Sequence, residues 1–242
     1  MYKRQVIKNT DHTSFKVDFG GTYRNKERNF DSQFFGIQET ALNAINPTSI
    51  DALSEIFTQQ NIANGLLKIN TLPADRYRGN LESLGTYIEA TGVIGKFTLQ
   101  GGLRYQNDQI NVKFDVGNIP GRLGKVIKNY EKLYPSLNLK YAATEKINLR
   151  FANSYSTTLP EFKEIAPFEY VSAVGQVTRG NKDIEASLNT NYDLKFEYFP
   201  SKGQLISFTS FYKKIKDPIN KVQDRGASGA FSYFNTSEKA TV

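Results

Sequence analysis

The apolar positions of this chain recur every second residue over long stretches, the period of a β-strand with one apolar and one polar face. In Ile147–Ser156 the odd positions carry Ile, Leu, Phe, Asn and Tyr, and the even ones carry Asn, Arg, Ala and Ser. Upstream, Leu133, Leu137, Leu139 and Tyr141 alternate with Tyr134, Ser136, Asn138 and Lys140. The short Ala143-Thr144-Glu145-Lys146 between these runs predicts a tight hairpin. A second hairpin joins Leu188–Tyr198 to a return strand from about Gln204 to Lys214 through Pro200-Ser201-Lys202-Gly203. A third joins Leu81–Thr91 to Phe97–Tyr105 through Gly92–Lys96, and Phe15, Val17, Phe19 and Tyr23 mark an earlier strand. One helix is predicted. Thr48 reads as its cap, Asp51 lies in its first turn, Ile50, Leu53, Ile56 and Phe57 form its apolar stripe, and Gly65 lies beyond its end.

The connections alternate in length. Short turns fall near 92–96, 143–146 and 200–203, and long segments fall near 37–80, 107–130, 159–185 and 217–230. Short turns at one end and long loops at the other are the pattern of an outer-membrane barrel, in which the apolar face meets lipid and the polar face lines the lumen. We expect an all-β, antiparallel transmembrane β-barrel, of which about seven to eight strands are legible. Composition agrees: apolar residues are 39%, and the aromatics are Tyr and Phe with no Trp. A soluble all-β binding module shares that composition, and a small complete outer-membrane barrel acting as anchor or pore shares the pattern.

The net charge of +7 does not imply nucleic acid, because Lys and Arg are interspersed with acids, as in Lys113-Phe114-Asp115 and Lys195-Phe196-Glu197. The densest basic stretch, Arg24–Arg28, includes Glu27 and reads as a solvated face. Absence of cysteine excludes disulfides and thiolate metal sites. No 18-residue apolar run codes a transmembrane helix, and the start carries no signal peptide. Met1–Gln5 resembles a translated sequencing adapter and is set aside as a non-native leader. No catalytic or metal-binding motif appears. His12, the sole histidine, reads as a surface residue, and Glu161, Glu164 and Glu169 read as solvated loop acids in preference to a cation site. No cofactor is expected. Phe168, Tyr170, Phe231 and Tyr233 are loop aromatics that suit either stacking on a ligand or anchoring at the membrane rim.

Several ordered segments resemble the barrel domain of TonB-dependent outer-membrane receptors. Tyr134–Tyr141 is similar to the family's Pro-Ser-x-Asn-Leu strand, and Gly101–Tyr105 to a Gly-Gly-x-Arg-Tyr strand. Thr158–Phe168 resembles a loop usually read Arg-Pro-x-Phe-x-Glu-Leu-x-Pro-Phe, matched here at Pro160, Phe162, Glu164, Pro167 and Phe168. Asn191-Tyr192-Asp193 and Asp217-Pro218 resemble positions of the next hairpin. Leu159 stands where Arg is usual and Asn220 where Glu is common, which puts a role for that Arg in doubt. The resemblance implies a barrel of about 22 strands. It also implies a bacterial outer-membrane location, with lipid and a small scarce nutrient (iron-siderophore, cobalamin or glycan) as partners. TonB would act through a plug missing from this chain, and no nucleic acid or enzyme activity is implied. Residues 6–242 are then part of the barrel domain, truncated at both ends.

Overall fold

The computed structural model describes residues 2–10, 13–49, 51–117, 119–226, 229–236 and 239–242. In chain order the strands are β1 (Tyr2–Thr10), β2 (Thr13–Ser32), β3 (Phe35–Glu39), β4 (Leu67–Thr71), β5 (Asp75–Ile94), β6 (Phe97–Asp115), β7 (Leu123–Thr144) and β8 (Ile147–Thr158). They continue with β9 (Glu169–Val171), β10 (Val177–Arg179), β11 (Ser187–Tyr198), β12 (Ile206–Lys216), β13 (Ile219–Gln223), β14 (Phe231–Asn235) and β15 (Lys239–Thr241). Short helices α1 (Leu53–Ile56) and α2 (Gln59–Ala63) lie between β3 and β4, and α3 (Phe162–Ile165) follows β8.

The wall is a nine-stranded antiparallel sheet in the order β1-β2-β5-β6-β7-β8-β11-β12-β15. All three expected hairpins form, with β5 and β6 closing at Ile94↔Phe97, β7 and β8 at Thr144↔Ile147, and β11 and β12 at Tyr198↔Ile206. The wall holds more strands than the sequence predicts, and several are longer. The segment 107–130 is mostly strand and not loop, because β6 and β7 stay paired from Phe97↔Tyr141 to Asp115↔Leu123. Tyr2–Gln5, set aside above, also pair with β2, from Tyr2↔Gly20 to Gln5↔Val17.

Which face is apolar changes along the tall strands. Near the short turns, the outward face carries Phe19, Ile88, Leu103 and Pro135, aligned across β2, β5, β6 and β7. Ile88 there is 56% exposed on the outer surface of the wall. On β5 this outward apolar run extends from Leu84 to Ile94, about 11 residues, which at ~3.3 Å per residue and a tilt near 45° covers about 25 Å of membrane. Farther up, the outward positions become Glu82, Gln109 and Asn129, then Arg78, Lys113 and Lys125. On β5 and β6 the inward positions become apolar instead, with Ile110 at 1% exposure and Val112 at 0%. The strands thus leave lipid and enter water, and on β5 and β6 the apolar side turns to the interior.

That interior is filled by the loop after β8. Phe162, Ile165, Ala166, Phe168 and Ile184 bury against Tyr77, Leu81, Ile110, Val112, Phe114 and Val116 of the wall. The loop strands make a second sheet, β13-β14-β10-β9, in which β10 and β14 run parallel. The predicted helix forms later than expected. Thr58 caps α2 through Asn61 N–H (3.1 Å), whereas Thr48 donates to Glu55 Oε1 (2.6 Å) and Oε2 (2.8 Å). Two short helices replace one because Thr58 competes for the helix start. Gly65, at φ 69°, does end the helical segment. Asp11, His12 and Ile50 lie outside the described residues. Among the described residues no helix is long and apolar enough to cross a membrane, which says nothing of strands.

Candidate functional site

Two cavities open on the inner side of the upper wall. The first, about 540 Å³, is lined by Phe30, Tyr77, Phe168, Tyr170 and Tyr233 together with Arg28, Lys163 and Lys221. Its volume suits a small molecule. Among the described residues no carboxylate lines it, and of its three cations Lys163 has Glu161 nearby. Phe30, Tyr77 and Phe168 form an aromatic cluster with ring centroids 5.0 to 5.4 Å apart. Burial raises the phenol pKa of Tyr77 and Tyr233, so both hydroxyls keep their protons and can donate. Lys221 donates to Gln176 Oε1 (2.5 Å) and lies 4.7 Å from the centre of the Phe231 ring. Lys163 is 3.6 Å from Glu161.

The second cavity, about 570 Å³, lies beside it and is lined by Arg24, Lys26, Arg104, Gln106, Asp108, Tyr134 and Phe162 among others. A polar relay crosses three strands here. Arg104 Nη2 donates to Thr22 Oγ1 (2.7 Å) and Nε to Gln106 Oε1 (2.9 Å). Gln106 Nε2 donates to both Asp108 oxygens (2.9 and 2.8 Å), and Ser83 Oγ donates to Asp108 Oδ1 (2.5 Å). Asp108 is thereby satisfied while 1% exposed. Arg24, Lys26 and Arg28 of β2 join the two cavities, since alternate residues of a strand share a face. Lys26 sits 5.5 Å from the Phe162 ring centre. The basic stretch read as solvated is therefore split, with Asn25, Glu27 and Asn29 on the outward face.

Of the four loop aromatics, Phe168, Tyr170 and Tyr233 are brought to one cavity; Phe231 stands behind Lys221. Phe168 is 3% exposed, so it builds the wall of the cavity more than it offers a free face. The family-motif residues are mostly architectural. Pro160, Phe162, Pro167 and Pro218 are buried. Glu164 and Glu161 form a reciprocal capping box on α3, with Glu161 N–H donating to Glu164 Oε2 (2.8 Å), and Glu169 pairs with Arg179. Glu161 and Glu164 thus partner each other, and Glu169 an arginine apart from them. Asn191 accepts from Asn153 Nδ2 at its carbonyl (3.0 Å), Tyr192 lies against Tyr212, and Asp193 lines the lumen near Lys195. Asp217, at φ 53°, accepts Ser187 Oγ and Asn235 Nδ2 at its carbonyl, both at 2.8 Å. Leu159 packs partly buried on the core. Arg28, Lys163, Lys221, Phe30 and Tyr77 were missed by sequence reading. The one available signal was the alternation of bases on β2.

The structure is similar to iron-uptake receptors. It aligns with the hemophore receptor HasR of Serratia marcescens, solved with its hemophore HasA and heme (TM-score 0.56, 14% identity, 95% of this chain, 38% of that one). It aligns with the ferric-catecholate import receptor Fiu of Escherichia coli K12 (0.54, 15%, 96%, 32%) and the ferric yersiniabactin uptake receptor FyuA of Yersinia pestis (0.51, 12%, 90%, 28%). At such identities the likeness is one of fold, and the chain spans about a third of the length of these receptors. No curated protein matches in sequence. Residues 48–238 match the sequence profile of the Outer membrane protein beta-barrel family. The nine-stranded wall with its lipid-facing apolar band and the match over most of the sequence agree: this chain belongs to the outer membrane β-barrel protein family and forms part of an outer-membrane barrel like those of TonB-dependent receptors.

Proposed function

We propose that this chain supplies wall strands and external loops to a TonB-dependent receptor that captures a small, scarce nutrient and imports it. TonB would act through a plug domain elsewhere in the receptor. The nutrient is read as anionic and ring-bearing, whichever of the siderophore, cobalamin or glycan classes it is drawn from. The carrying observation is the 540 Å³ cavity, in which aromatic faces meet Arg28, Lys163 and Lys221 and, among the described residues, no lining carboxylate. Flat rings gain from stacking on aromatics, and charge-assisted hydrogen bonds are about twice as strong as neutral ones. Below it, Lys26 and Arg24 continue the cationic face of β2 toward the lumen, giving an anion successive partners on its way inward. The family consists of outer-membrane barrels and receptors, typically not enzymes, and we read the chain as non-enzymatic.

The test uses outer-membrane vesicles containing the barrel of which this chain is part and two probes, 8-hydroxypyrene-1,3,6-trisulfonate and uncharged 1-hydroxypyrene. The trisulfonate should bind preferentially, and Lys163→Gln with Lys221→Gln should weaken it about tenfold or more. Equal retention of the two probes, or no response to the double variant, would sink the assignment of the cavity to an anion.

A further inference from the structure

We propose that the upper edge of β7, Leu123–Asn129, is a docking edge for an extended segment of a different cell-surface protein, whose side chains alternate acidic and apolar. β7 pairs with β6 along its whole upper length, from Leu123↔Asp115 downward. On its other side, pairing with β8 begins only at Ser136↔Ser154. β8 ends at Thr158 and the chain turns inward into α3, so the wall steps down between β7 and β8. Among the described residues no strand continues alongside Leu123–Pro135 on that side. Both neighbours of β7 belong to this chain, so the step is internal to the sheet and independent of its two ends. The segment before β11 does not fill the gap as a strand. Glu185 reaches from it to Lys128 Nζ (2.7 Å) and Tyr130 Oη (2.9 Å), which point inward.

A strand edge of this kind presents unpaired N–H and C=O groups, and an extended segment can satisfy them as an added strand. The outward side chains specify the partner. Leu123 and Ile127 are 75% and 51% exposed on a part of the wall that is otherwise polar outside. Between the two lies Lys125, directly beside Lys113, which is directly beside Arg78. Like charges in opposed positions repel. Arg78 has Glu27 at 3.4 Å, but among the described residues neither lysine has a carboxylate partner. An incoming acid beside Lys125 would relieve that row, and apolar residues two positions away would cover Leu123 and Ile127.

A second copy of this chain does not fit. Two barrels in one membrane are related by a two-fold axis along the membrane normal, which sets their β7 strands parallel with like residues at one height. A parallel ladder needs a stagger by an odd number of residues, which that axis does not provide. Two copies would also bring Lys125 against Lys125.

The experiment uses the outer-membrane barrel that contains this chain, in outer-membrane vesicles, and the peptide dansyl-Val-Asp-Val-Glu-Val-Asp-amide. We expect saturable binding that weakens at least tenfold when the internal amides are N-methylated. We also expect about fivefold weakening by Lys125→Glu, in a variant whose heat-modifiable migration shows an intact barrel. Lys221→Gln, in the cavity, should leave it unchanged. Absence of binding, equal binding of the N-methylated peptide, or equal binding of a peptide with Lys in place of its acids would overturn the proposal. The chain has no native cysteine. Disulfide-linked dimers of Ile127→Cys formed in the vesicles would overturn it too, by showing that a second copy occupies the edge.

Discussion

Glu164 shows how one side chain ties the external loop to pH. It caps α3 through Glu161 N–H, while partial burial raises its pKa above the usual 4.5. A carboxyl with a raised folded value holds its proton more tightly when the loop is docked. Docking is therefore strongest below the ordinary carboxylate value and weakens as pH rises through the raised one. Acidification from neutrality into the window just above 4.5 should increase hydrogen-exchange protection of the Asn181 amide, which donates to Glu164 O at 2.6 Å. Glu164→Gln keeps an oxygen for the cap and should make that protection independent of pH. A fall in protection with acid in the native protein would show that the ionised cap outweighs its desolvation. The sequence made Glu164 visible as a motif position. Its burial was not visible, because it depends on β14 and the wall, which are distant in the chain.

At the level of elements, the loop after β8 is held by the fit of Phe162 on β5. A Cβ on Gly79 would overlap the Phe162 ring, and one on Gly180 would overlap the carbonyl of Ala166. Gly79→Ala should therefore cost about 1–3 kcal/mol of loop docking by overpacking. It should show as faster exchange across residues 162–184 with the lower wall unchanged; uniform change over the whole sheet would indicate a different origin. The three hairpins were legible because period-2 runs and turn formers are local signals. The upper halves of β6 and β7 were not, since Gln106-Asn107-Asp108-Gln109 interrupts the run and Ile110, Val112 and Phe114 resume it on the opposite parity. A reading that follows one apolar face ends the strand at Tyr105. The cavity was half legible: its aromatics stood out in loops, but its cations come from three separate segments.

For the whole molecule, the outward face divides into a lipid-facing band and a water-facing band. A cation at Ile88 would stand in hydrocarbon, so Ile88→Lys should destabilise the barrel by about 2–4 kcal/mol. Glu82→Lys, also outward on β5 but above the apolar run, should stay within about 0.5 kcal/mol. Denaturant titration of the barrel in lipid vesicles, followed by heat-modifiable migration, compares the two. Equal effects would mean that the membrane boundary is not near Leu84.

The change of apolar face also makes β6 two words separated by a polar comma. An insertion of one residue within 106–109 would leave the hydrocarbon-spanning half untouched yet swap inside for outside in everything above it, exposing Ile110 and Val112 and pointing Gln109 and Asn111 at the core. A two-residue insertion would keep the sides and merely lift the upper wall. Change in this region should therefore arrive in even steps, with the stretch Gln106–Gln109 acting as the tide mark from which the height of the external architecture is counted.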